Sequence, residues 1–145
     1  MNQRTPLQLA GIWRRLAALA YEAILLFAIL FISGYLFVAL AGRTPQGWLR
    51  GIFYAYLLAV CGTYFVFCWI RSGQTLAQKS WGLRVTAADG SLLTWHQAVK
   101  RYLLAAVSLG SGIGVLWALI DPQHQFLHDR LAGSRLVIAK PLSTD

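Results

Sequence analysis

One acidic residue, Glu22, lies inside an apolar run from Leu16 to Leu40 that begins directly after Arg14-Arg15. A run of 25 residues exceeds the roughly 20 that a helix needs to cross the hydrocarbon core of a bilayer. Placing a carboxyl there costs about 2.5–3.5 kcal/mol on insertion scales, so an acid at such a position is a functional candidate by default. Two chemistries suit it. Glu22 can hold a proton or a small cation, or it can act as a polar clasp between helices, bonded to Arg15, Arg101 or a tyrosine. Arg15 precedes it by seven residues, which on a helix puts the two within about 20° of one face. Arg14 stands roughly 80° from that face and suits lipid headgroups instead.

A second constellation sits near the other end, where Leu127-His128-Asp129-Arg130 sets an imidazole, an acid and a base side by side. His124 and His128 are four apart, a spacing compatible with metal on a helix, but no third ligand accompanies them at motif spacing. No metal is expected. Asp129 suits either a helix cap or an ion pair with an arginine from another segment. Gly73-Gln-Thr-Leu-Ala-Gln-Lys lacks the spacing of a phosphate-binding loop. There is no nucleophile with a neighbouring base and no pair of carboxylates, so neither enzymatic activity nor a cofactor is expected. Cys61 and Cys68 lie seven apart in one apolar run, about 10.5 Å along a helix, too far for a disulfide.

The elements that must position these groups follow from hydropathy and charge. Of 145 residues 57% are hydrophobic, and thirteen Lys and Arg face five Asp and Glu. The basic residues flank long apolar runs rather than forming one face, which excludes a nucleic-acid binder and indicates an integral membrane protein. Leu16–Leu40 and Gly51–Ile70 are transmembrane helices, joined by a short loop with Gly42, Pro45 and Gly47 into an antiparallel hairpin. The first run is too long for a signal peptide and carries Glu22, so it reads as an uncleaved anchor.

A third apolar segment, Tyr102–Ile120, has Gly110, Ser111, Gly112 and Gly114 at its middle. These glycines either let a spanning helix pack closely or break the segment into two half-helices that dip in and return. If it spans, eight basic residues lie on one side and five on the other; if it returns, the split is eleven to two, with only Arg43 and Arg50 on the poorer side. Length permits the first arrangement and charge favours the second. Between the second and third segments, Gln74–Trp81 reads as an interfacial helix with Leu76 and Trp81 toward lipid. Short strands are expected near residues 82–93, where Asp89-Gly90 turns the chain toward a return strand at Ser91–Thr94, and near 134–139. Thr94 suits the N-cap of the next helix. Phe126–Leu131 reads as a short helix stopped by Gly133, and Pro141 onward as a frayed tail.

Taken together, these residues resemble the RDD family of small bacterial membrane proteins, named for one Arg and two Asp. The family's Arg-x-x-Ala-x-x-x-Asp is matched by Arg15, Ala18 and Glu22. Its middle motif is matched by Gly73-Gln74-Thr75-Leu76 and Gly82-Leu83-Arg84-Val85. Its Leu-His-Asp-x-x-Ala-Gly-Thr is matched by Leu127-His128-Asp129, Ala132-Gly133 and Ser134. The chain departs with Glu22 for Asp, Ala77-Gln78 for Gly-Lys and Ser134 for Thr. The resemblance covers about residues 11–138 and implies a single membrane domain over 1–145, all-α apart from the short strands, in the bacterial inner membrane. The two strands could pair only on the same membrane side, which agrees with the eleven-to-two charge split and a cytoplasmic N-terminus. The resemblance also suggests transport of a small ion or solute, such as cation/proton exchange, with Arg15, Glu22 and Asp129 as one polar cluster and Gly73, Gln74, Thr75, Arg101, His128 and Gly133 in support. Two or three apolar segments cannot enclose a water-lined path, so the expected partners are the lipid bilayer and a second copy or another membrane protein. The competing expectation is a non-catalytic scaffold whose cluster is structural.

Overall fold

The computed structural model describes residues 10–122 and 126–139. Two long helices, α1 (Ile12–Ala41) and α2 (Trp48–Arg71), form the antiparallel hairpin. Both are long and apolar enough to cross a membrane, and only 6% of the most apolar window of each is buried against protein. In α1 the buried residues are Arg15, Ala18 and Glu22, whereas Phe27, Phe31 and Leu40 are exposed. A helix that hides Arg15 and Glu22, leaves only Arg14 exposed at its head and presents its aromatics is built for a hydrocarbon surround.

After α2 comes α3 (Leu76–Ser80), then strand β1 (Leu83–Ala87). Thr75 caps α3 through a capping box with Gln78, and Leu76 and Trp81 are exposed as an interfacial helix requires. The turn at Asp89-Gly90 forms, with Asp89 accepting from Ser91 and Gly90 at φ 86°. The return strand at Ser91–Thr94 does not: those residues are irregular, and β1 pairs antiparallel with β2 (Ser134–Ile138) instead. Thr94 is then committed to capping α4 (Trp95–Gly110) through a second capping box with Gln97.

The third apolar segment is divided. α4 ends at the Ser111 cap, Gly112 turns at φ 75°, a left-handed conformation that favours glycine, and α5 (Ile113–Ile120) leads away. Helix α6 (Leu127–Leu131) then packs against α4 and α5 and delivers the chain to β2. Because β1 and β2 pair in register from Leu83–Ile138 to Ala87–Ser134, everything between them must leave and return to the same end of the molecule. That agrees with the dip-and-return alternative. The Ala10 amide donates to the Leu136 carbonyl, so α1 starts at that end too. A small core gathers there, with Val66, Trp69, Leu83, Val85, Leu93, Ala98 and Leu136 all buried. His124 and the tail from Lys140 lie outside the described residues.

Candidate functional site

The site stands where α1, α2 and α4 meet the two-stranded sheet. Arg15, Ala18 and Glu22 recur at the spacing that stacks side chains on one helix face, and all three are buried. Arg15 and Glu22 nevertheless do not bond to each other. The Arg15 guanidinium turns toward backbone, donating from Nε to the Ala10 carbonyl at 2.8 Å and from Nη2 to the Leu136 carbonyl at 3.3 Å. It thereby ties the head of α1 to the last strand, within electrostatic reach of Asp129 and Asp121.

Glu22 is met from α3. The Thr75 hydroxyl donates to Glu22 Oε2 and accepts from the Gln78 amide at 3.2 Å, so one side chain both caps α3 and holds the carboxylate. Tyr64 is the other hydroxyl facing Glu22, although its geometry falls short of a hydrogen bond. Glu22 Oε1 is buried with no partner among the described residues.

Thr75 is aimed by its neighbours. Gly73, at φ 70°, accepts from the Val85 amide at 2.7 Å, and a Cβ there would lie 2.7 Å from the Val85 carbonyl oxygen. No other residue fits that contact without moving the strand. The Gln74 side chain donates to the Leu83 carbonyl at 2.6 Å. Gly73-Gln74-Thr75 is thus a strap from β1 to the acid on α1.

Asp129 is handled differently. It is fully buried, and its Oδ1 pairs with Nη1 of Arg101 on α4. Arg101 also donates to Ser134 Oγ at 3.2 Å and lies 4.5 Å above the Trp69 ring, a cation–π distance. Gly133, at φ 65°, turns the chain into β2 just before Ser134. His128 shares a hydrogen bond with Ser108 at 3.1 Å, stacks on Phe126, and holds Nε2 at 3.6 Å from Asp129. Burial pushes its imidazole down to about 4; the Asp129 carboxylate opposes this and the Arg101 charge adds to it. His128 is therefore neutral at pH 7. Its helix α6 is braced by an ion pair from Arg130 to the buried Asp121.

Of the three residues expected in one cluster, each joins a separate set: Glu22 bonds Thr75, Asp129 pairs with Arg101, and Arg15 bonds the Ala10 and Leu136 carbonyls. Among the described residues no group of three or more His, Cys, Asp or Glu could hold a metal ion. A cavity of about 530 Å³ connects the sets. Its polar end is formed by Arg15, Glu22, Trp69, Gln78, Arg101 and His128, and its remainder is mostly apolar side chains of α1, α2 and α4. Thr75, Trp69 and Gln78 escape a reading by charged residues alone. The signal for two of them is Thr75-Leu-Ala-Gln78, the T-x-x-Q form of a capping box.

The RDD family model matches residues 9–133, most of the chain and all of these side chains except Ser134 and Leu136. The chain belongs to the RDD family. In this RDD protein the first motif comprises the buried residues of α1, the middle motif is the strap, and the last motif supplies the Asp129 set. The chain is 33% identical over 89 residues to the uncharacterized protein RP437 of Rickettsia prowazekii, covering 59% of this chain and 48% of that protein. It thus spans about half the length of this curated relative. No solved structure matches.

Proposed function

We propose that this RDD protein is a non-enzymatic carrier unit in which Glu22 exchanges a proton or small cation, and that it works as an oligomer or with a membrane-protein partner in the bacterial inner membrane. The observation that carries this reading is the state of Glu22. One oxygen is held by Thr75, the other is buried without a partner, and the residue lines a cavity. A purely structural carboxylate at that depth would be neutralised by a cation, because an uncompensated buried charge is costly. Asp129 has that arrangement and Glu22 does not. We accordingly assign Asp129 and Arg101 to holding the helices, the role the scaffold alternative gave to the whole cluster, and Glu22 to exchange.

Orientation follows from charge in the same proposal. Arg14, Arg71, Lys79, Arg84 and Lys100 all fall at the end that carries the sheet, while Arg43 and Arg50 lie at the hairpin tip. The positive-inside rule then puts the sheet and the start of α1 in the cytoplasm. The test is flux in proteoliposomes loaded with a pH-sensitive dye and pulsed with Na⁺ or K⁺. The native protein and Glu22→Asp should exchange, and Glu22→Gln should not. Unchanged exchange in Glu22→Gln would remove the proposal.

A further inference from the structure

The cavity is graded along the helix axes. On α1 it runs from Arg15 and Glu22 to Leu26 and Leu30; on α2 from Trp69 to Leu58; on α4 from Arg101 to Leu109. All three helices therefore pass from polar to apolar in the same direction away from the sheet. The stretch from Leu19 to Leu30 is about 16 Å long at the helical rise, close to one leaflet, roughly half of a 30 Å hydrocarbon core. Ala23 on α1 and Ala106 on α4 line the cleft yet are exposed, so it opens sideways between those helices, toward lipid.

Of the buried atoms without partners among the described residues, three lie on side chains that line the cleft, while the Tyr64 hydroxyl and Asp129 Oδ2 lie on residues outside its lining. Trp69 Nε1 and Arg101 Nε are donors, and Glu22 Oε1 is an acceptor; each belongs to a side chain more than nine-tenths buried and lining the cleft. Buried polar groups are normally satisfied, and these three ask for an oxygen that accepts beside an N–H that donates. A plain anion meets only the donors, and a bare cation only the acceptor.

We propose that the cleft binds one membrane phospholipid with a primary-amine headgroup, a phosphatidylethanolamine. Its acyl chain lies along the leaflet-deep apolar part, its phosphate oxygens accept from Trp69 and Arg101, and its ammonium donates to Glu22. Naming the ammonium rests on the reading of Glu22 as a cation-binding acid; the lateral opening and the graded walls do not. A choline headgroup has the same charge and phosphate but no N–H, so it cannot satisfy Glu22.

Native mass spectrometry of the detergent-purified full chain, titrated with phosphatidylethanolamine, phosphatidylcholine or phosphatidylglycerol of identical acyl chains, tests this. A charge-assisted hydrogen bond predicts a preference of about ten-fold for ethanolamine over choline. Glu22→Gln should bring that preference close to parity, and Ala106→Trp, which fills the side opening, should weaken retention of all three lipids. Equal binding of ethanolamine and choline lipids, stronger binding of phosphatidylglycerol, or full retention in Ala106→Trp would overturn the assignment. Flux measured in phosphatidylcholine/phosphatidylglycerol liposomes separates the two proposals. Glu22-dependent exchange without a lipid preference leaves exchange standing and the lipid site refuted, and a preference without exchange does the reverse.

Discussion

Asp129 and Glu22 are both buried carboxylates at the sheet end of the molecule, and their surroundings differ in kind. Asp129 shares an oxygen with a guanidinium that is itself stacked over Trp69 and bonded to Ser134. Glu22 holds a hydroxyl and a cavity. The pair teaches that two buried acids in one membrane protein can differ in the charge of the partner rather than in the acid. Each acid keeps one buried oxygen without a partner among the described residues, Asp129 Oδ2 and Glu22 Oε1; what differs is that an arginine partner supplies a counter-charge. A threonine partner orients Glu22 without supplying a counter-charge.

The largest effect that would sharpen this contrast is on the acid with the counter-charge. Asp129→Asn leaves Arg101 buried without its counter-charge, and unfolding in mixed micelles should show a loss of about 3–5 kcal/mol. A loss equal to that of Glu22→Gln would erase the distinction between the two acids. Next is acid sensitivity. The His128 imidazole has a folded pKa of about 4, below the ordinary value near 6.5. Between those values the unfolded chain binds more protons than the folded one. Its contribution is therefore complete above about pH 6.5 and shrinks as pH falls, by on the order of 2–3 kcal/mol at pH 4. His128→Gln should flatten that part of the stability–pH curve, and an unchanged curve would place the acid sensitivity elsewhere.

Smaller effects probe the other acid. Thr75→Ala removes the α3 cap and the donor to Glu22, at a cost of about 1–2 kcal/mol, whereas Thr75→Ser should recover most of it because the hydroxyl does both jobs. Smallest of all should be the coupling between Arg15 and Glu22. A double-mutant cycle of Arg15→Gln and Glu22→Gln should give an interaction energy below about 0.5 kcal/mol. A cycle through Arg101 and Asp129 should give several times more. Strong Arg15–Glu22 coupling would restore the single-cluster view.

Much of the scaffold is legible in the chain because hydrocarbon imposes simple demands. Run length and flanking charge mark both spans, since every backbone group inside must be bonded within its own helix. Gly110, Ser111, Gly112 and Gly114 mark the break between α4 and α5, and Asp89-Gly90 marks its turn. The return strand is misread because Ser91–Thr94 has an apolar pair beside a turn, and nothing local says that Thr94 serves α4 and that β1 waits for β2. The site is legible by membership but not by pairing. Arg15 and Glu22 do share a face, yet the Arg15 guanidinium turns back to the Ala10 and Leu136 carbonyls. Glu22 instead meets Thr75, far along the chain, and only the packing of α3 on α1 brings the two together.

Arg15 also carries a clock. One of its acceptors, the Leu136 carbonyl, lies 121 residues downstream. At about 5–20 residues per second of synthesis, roughly 6–24 s pass between the appearance of the arginine and the appearance of that partner. Until then the bond from Arg15 to β2 cannot form, and that strand completes the tie between α1 and the sheet. A ribosome that stalls before Leu136 leaves the head of α1 without its bond to β2.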